Sequence, residues 1–216
     1  MGGGRILEVG GAEGWETALE HARRVLRSGG MVAFPTESFY GLGVDIRNER
    51  AIRKLFEAKG REPDQPVLLL IDSTENLEQW AVGIPGTAFR LMEQFWPGGL
   101  TLVLEASFRV SPLLTANTGK IGLRLSSHRV ARALAGRAGG AVTGTSANLS
   151  GRPACRTARE VFSALGPTVA LILDGGETRG ESGSTILDMT ESPPMLLREG
   201  MVSRSALEAC LQGPMS

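Results

Sequence analysis

The sequence predicts an α/β protein, a single domain built on a mixed sheet flanked by helices. Three observations predict it. Short apolar runs alternate with amphipathic helical stretches along all 216 residues, without a linker, repeat or low-complexity block. The strand runs are not evenly separated by helices, which favours a mixed sheet over a regular doubly wound one. Hydrophobic residues are 42% and charged residues 21%, so a chain of this length buries a full core.

The elements follow in order. Arg5–Val9 reads as a strand and Trp15–Ser28 as a helix burying Leu19, Ala22, Val25 and Leu26, ended by Gly29-Gly30. Met31–Pro35 is a buried strand, and Thr36–Val44 a glycine-containing loop. Asn48 caps a helix running to Lys59, with Gly60 at its C-cap. Val67–Ile71 is a strand, followed by helices near Glu75–Ala81 and Gly86–Phe95. Pro97-Gly98-Gly99 breaks into the strand Leu100–Glu105. Strand Ile121–Leu125, helix Val130–Ala138 and strand Ala141–Thr145 come next. Helix Ala158–Leu165, strands Val169–Asp174, Thr185–Asp188 and Met195–Leu197, and helix Ser203–Leu211 complete the chain.

Composition narrows the function classes. Lys plus Arg equal Asp plus Glu at 23 each, so no global field advertises nucleic acid or membrane. Two cysteines, Cys155 and Cys210, make neither a disulfide framework nor a zinc site, which favours a reducing compartment. No apolar run approaches the roughly 18 residues of a membrane span. The start lacks a signal-peptide core, and Ile6 stands where a myristoylation signal needs Ser or Thr. The expectation is a cytoplasmic protein.

Standard catalytic fingerprints are absent: no G-x-x-x-x-G-K-[ST], no G-x-G-x-x-G after a strand, no H-E-x-x-H. The two histidines, His21 and His128, read as a surface residue and a neutral capping or packing residue, not as a triad base. Lys59 is more unusual. Ile52, Leu55 and Phe56 form an inward stripe, and position 59 continues it, so its ammonium is expected to reach a cleft. Snorkelling at the helix C-terminus is the alternative. Arg61 follows, with a guanidinium suited to phosphate or carboxylate, or to plain surface. Ser146-Ala147-Asn148 sets a hydroxyl and an amide past a strand. Brought together, the two motifs form a socket for an anionic, polyoxygen ligand such as a nucleotide triphosphate. Thr36, Arg124, Arg198 and the glycine-rich pieces around Asp174 and Ser184 are weaker signals at strand ends.

In order along the chain, these segments resemble the YrdC-type family of threonylcarbamoyl-adenylate synthases. They are Phe34–Gly43, Ala58–Arg61, Phe95–Thr101, Thr145–Pro153, Asp174–Gly176 and Gly183–Ile186. The resemblance covers about residues 15–200 and implies a twisted sheet with a large concave cleft. It implies that threonine, bicarbonate and ATP give threonylcarbamoyl-adenylate and pyrophosphate, with Mg2+ on the phosphates, for modification of adenosine 37 of tRNA. It implies as partners tRNA or double-stranded RNA and a tRNA-modifying transferase complex. Carried over by motif, Lys59 and Arg61 become the catalytic cations. Together with Gln65, Ser146, Asn148 and Arg198 they line the nucleotide site, and Thr36, Arg124 and Ser184 hold threonine. Ser38, Gln65, Leu70, Gly99 and Lys120 depart from the usual pattern. Lys120 shares a strand face with Arg124, so it either adds charge to the cleft or stands in solvent at a strand edge. The longer members carry a second domain, for which this chain ends too soon. Two other readings stay open: a non-catalytic RNA-binding or ribosome-associated module, and a paralogue acting on another carboxylate or carbamoyl compound.

Overall fold

The computed structural model describes residues 4–60 and 65–215. Among them one mixed sheet of eleven strands runs through the molecule. Its strands are β1 (Arg5–Glu8), β2 (Val32–Pro35), β3 (Tyr40–Gly43), β4 (Leu68–Ile71), β5 (Ala81–Val82), β6 (Leu100–Ala106), β7 (Lys120–Arg124), β8 (Ala141–Ser146), β9 (Leu171–Asp174), β10 (Thr185–Asp188) and β11 (Met195–Arg198). The order is β1-β9-β2-β3-β8-β4-β7-β6-β10-β11, with β5 also pairing β6. Parallel pairs (β1 with β9, β2 with β9, β4 with β7, β6 with β10) are interleaved with antiparallel ones.

Strand residues alternate between two cores, as the pleat requires. Val32, Phe34, Leu70 and Val142 face the cluster under helices α1 (Gly11–Arg27) and α5 (Arg129–Arg137). Ala33, Leu69, Ile71 and Ala141 face the larger cluster on the other side. Helices α2 (Glu49–Lys59), α3 (Gly86–Phe95), α6 (Ala158–Leu165) and α7 (Arg204–Leu211) contribute to that second cluster. A one-turn helix α4 (Pro112–Thr115), capped by Ser111, lies between β6 and β7.

Most predicted elements form close to their expected bounds. Asn48 accepts a hydrogen bond from the Ala51 amide, and Gly60 closes α2 in the left-handed conformation at φ 57°. Three expectations need correction. The Thr36–Val44 loop contains β3, whose glycines mark close packing. A Cβ on Gly43 would stand 2.6 Å from Val142 Cγ2 and 2.9 Å from Phe34 Cε1. The helix expected near Glu75–Ala81 shrinks to a single 3-10 turn, Leu77–Gln79, before β5 takes over against β6. The strand expected from Val169 starts at Leu171.

Strand β8 changes partner partway along. Ala141 to Gly144 pair with β4, whereas Thr145 and Ser146 pair with β3. The site lies where these partners part.

Candidate functional site

A cavity of ≈450 Å³ opens between strand ends. The end of β2, Thr36 and Ser38, forms one side with Tyr40 and Gly41 of β3. Gly144, Thr145 and Ser146 of β8 and Leu68 and Leu70 of β4 form the floor. Arg124 ends β7, Ser184 precedes β10, and Arg198 ends β11; all three reach the same space from the far side. The size suits a small polar ligand or part of a nucleotide.

Among the described lining residues two are cations, Arg124 and Arg198, and one is an acid, Glu199. Arg124 is 5% exposed and donates from Nε to Gly98 O at 3.1 Å. Its Nη2 stands 2.9 Å from Glu37 Oε1, near enough to pair by charge yet not aligned for a hydrogen bond. Nη2 therefore has no hydrogen-bond partner among the described residues. Arg198 donates from Nε and Nη2 to Ser184 O at 3.1 and 2.8 Å, and from Nη2 to Ser184 Oγ at 3.3 Å. Burial, and then the like charge of Arg124, weaken the hold of Arg198 on its proton. Two guanidiniums sharing a partly buried space is an arrangement that a bound anion relieves.

Hydroxyls complete the polar wall. Ser184 is buried, and its Oγ accepts from Thr101 Oγ1 at 2.8 Å. With Arg198 donating as well, the Ser184 proton is left to point at an acceptor in the cavity. Thr36 Oγ1 donates to Phe39 O at 2.7 Å and receives the amides of Ser38 and Phe39 at 3.2 and 3.3 Å. It thus holds its own turn while one side faces the cavity.

Lys59 is 4% exposed and continues the buried stripe of Ile52, Leu55 and Phe56, as its helical phase predicts. Its Nζ donates to Ser146 O at 2.6 Å, Asn148 O at 2.9 Å and Asn148 Oδ1 at 3.1 Å. Ser146 Oγ donates to Asn148 Oδ1 at 2.6 Å, and Asn148 Nδ2 donates to Arg152 O. The two motifs do meet. Lys59 and Asn148 stand behind Ser146, which lines the cavity itself. Gln65 is exposed and not among the described lining residues. Arg61 lies outside the described residues.

Lys120 points away from this cavity. Its Nζ pairs with Asp188 Oδ2 at 3.2 Å and Glu191 Oε1 at 2.9 Å. Four residues of extended strand carry it roughly 13 Å from Arg124. The cleft reading of Lys120 is therefore corrected, and its partners are acids rather than bulk solvent. His128 caps α5, its Nδ1 accepting from the Val130 amide, and burial lowers its pKa. Glu37, Thr101 and Ser126 were not singled out beforehand. Glu37 and Thr101 lie within the quoted motifs, but their role becomes visible only through the side chains they hold.

A mixed α/β sheet whose strand ends gather two guanidiniums and a rim of hydroxyls is suited to an oxygen-rich anion. The sequence pattern of the Sua5/YciO/YrdC family, described as telomere recombination, matches residues 24–200. The chain is 40% identical over 196 residues to a threonylcarbamoyl-AMP synthase of Pyrococcus abyssi, covering 91% of this chain and 57% of that protein. It is 37% identical over 178 residues to one of Thiobacillus denitrificans, covering 82% of this chain and 94% of that protein. A crystal structure of P. abyssi Sua5 complexed with L-threonine superposes with a TM-score of 0.92 and 38% identity, over 98% of this chain and 62% of that one. The chain belongs to the Sua5/YciO/YrdC family. It spans little more than half the length of the P. abyssi and Bacillus subtilis relatives, 57% in each case.

Proposed function

We propose that this protein makes L-threonylcarbamoyl-adenylate from threonine, bicarbonate and ATP, releasing pyrophosphate. The observation that carries the reading is the pair Arg124 and Arg198 lining one cavity, two guanidiniums whose charge a substrate carboxylate and phosphate would balance. The names of the relatives and the threonine complex of P. abyssi Sua5 support the choice of substrate.

In this reading the threonine amine adds to CO2 or bicarbonate to give a carbamate. A carbamate oxygen then attacks the α-phosphorus of ATP as the bond to pyrophosphate breaks. Such chemistry asks the protein for positioning and charge neutralisation rather than a nucleophile. Arg124, Thr36 and Ser184 hold threonine, Arg124 through its carboxylate. Arg198 and Ser146 serve the nucleotide from the cavity wall, Lys59 and Asn148 by holding Ser146 from behind, and Gln65 and Arg61 also serve it, Arg61 at the triphosphate. Mg2+ enters with the phosphates as part of the substrate. The product serves adenosine 37 of tRNA, passed to a tRNA-modifying transferase complex in the cytoplasm. The free thiols of Cys155 and Cys210 suit that reducing compartment.

The test is pyrophosphate release in the purified protein. It should require threonine, bicarbonate and ATP together, and mass spectrometry should find threonylcarbamoyl-adenylate. Release that ignores threonine would sink the proposal.

A further inference from the structure

Glu37 has no part in the reaction as written above, yet its carboxylate is held at both oxygens. Its side chain is 10% exposed. One oxygen, Oε1, faces Arg124 Nη2 at 2.9 Å and accepts the Ser127 amide at 3.2 Å. The other, Oε2, accepts the Ser126 hydroxyl. Ser126 is fixed in turn: its Oγ receives the His128 amide at 3.1 Å, and its carbonyl receives Arg132 Nη1 at 3.0 Å. Arg124 Nε is tied in addition to Gly98 O. The Arg124 guanidinium is thus held by a carboxylate and a backbone carbonyl while the residue lines the cavity.

Charge gives the grip a second purpose. A guanidinium this deeply buried is costly without a counter-charge, and Arg198 beside it repels it further. Among the described residues, Glu37 is the acid in ion-pair contact with Arg124. Burial alone would favour the neutral acid, but Arg124 and the Ser126 hydroxyl outweigh it, so Glu37 is held ionised.

The geometry points to Glu37 as a positioning residue for carboxylate recognition: it fixes the plane of Arg124 and balances its charge, while Arg124 touches the substrate. Glu37 does not line the cavity, so it acts through Arg124. The inference rests on the proposed synthase reading for the identity of the carboxylate, but not for the grip itself.

The test combines kinetics with a direct view of Arg124. Pyrophosphate release is measured for wild type, Glu37→Gln and Glu37→Asp, with thermal denaturation reporting folding. Glu37→Gln should raise the KM for threonine about tenfold, with kcat within about twofold and the KM for ATP unchanged. Glu37→Asp restores the charge and should recover most of the loss. In 1H-15N spectra the Arg124 Nε–H signal, assigned by its disappearance in Arg124→Lys, should be sharp in wild type and broadened in Glu37→Gln. A folded Glu37→Gln protein with wild-type threonine KM and an unchanged Nε–H signal overturns the inference. A loss confined to kcat, or shared equally with ATP, also overturns it. Should Glu37→Gln fail to fold, Ser126→Ala decides: without the hydroxyl on Oε2 it should raise the threonine KM and broaden the Arg124 Nε–H signal, and wild-type values of both overturn the inference. Wild type without threonine-dependent release would refute the synthase reading, and the Nε–H comparison would still decide the positioning role.

Discussion

The two walls of the cavity are built differently. On the Ser146 side the polar groups satisfy one another: Lys59 holds Ser146 O and both oxygens of Asn148, and Ser146 closes onto the same amide. On the Arg124 side charge is left unbalanced: Arg124 and Arg198 line one space, and of the two only Arg124 has an acid among the described residues, Glu37, in ion-pair contact. The first wall is a framework that brings its shape with it. The second waits for a ligand. The difference separates residues whose loss damages the protein from residues whose loss damages recognition.

The sharpest test of the incomplete wall is the substrate itself. Valine matches threonine in shape but lacks the hydroxyl, so a site that hydrogen-bonds that group should disfavour valine on the order of 10⁴-fold in kcat/KM. Comparable pyrophosphate release with both would mean the polar wall reads only the carboxylate and amine.

Lys59→Met strikes the framework. Three acceptors lose a charged donor, so stability should fall by about 3 kcal/mol along with turnover. Urea denaturation and steady-state rates report the two effects. A stable but inactive variant would move Lys59 from framework to ligand wall. Arg198→Ala should behave in the opposite way, losing roughly 2 kcal/mol of transition-state stabilisation with stability changed by less than about 1 kcal/mol. Matching losses in both quantities would erase the contrast between the walls.

Acid separates them further. Glu37 is held below the usual carboxylate pKa in the folded protein, against burial, by Arg124 and Ser126. Its contribution to stability is therefore complete above the ordinary carboxylate range and is lost as pH falls through the lowered folded value. Glu37→Gln should flatten that acid limb of the stability curve, and an unchanged limb would place the proton uptake elsewhere. The smallest effect belongs to Lys120→Thr. Its pairs with Asp188 and Glu191 lie away from the cavity, so ATP affinity should not change at low or high salt, and stability should fall by no more than about 1 kcal/mol.

Much of the fold was legible in the sequence, but the division between the walls was not: the sequence sets Lys59 and Asn148 among the residues lining the nucleotide site, and only the structure shows them behind Ser146. Helical phase alone sent Lys59 inward, because Ile52, Leu55 and Phe56 define the face unambiguously. Strand β3 was hidden because Gly41 and Gly43 weaken any strand signal, whereas their reason is the proximity of Phe34 and Val142 from neighbouring strands. The short 3-10 turn at Leu77–Gln79 was overcalled as a helix because β6 draws Ala81 and Val82 into the sheet. Glu37 was quoted only as part of a motif. Its meaning depends on Arg124 and Ser126, and no spacing rule connects residues so far apart in the chain.

The cavity joins groups from β2, β7, β8, β10 and β11, and the sheet that carries them pairs Arg5 with Leu171 at one edge. Nearly every wall depends on a partner far away along the chain. Chains dominated by such distant pairings fold in milliseconds to seconds, because loop closure precedes the contacts that reward it. The site is thus late in time as well as scattered in sequence. A nascent chain cannot complete the pocket until β10 and β11 have emerged, β10 docking beside β6, and only then do Arg124 and Arg198 line one space.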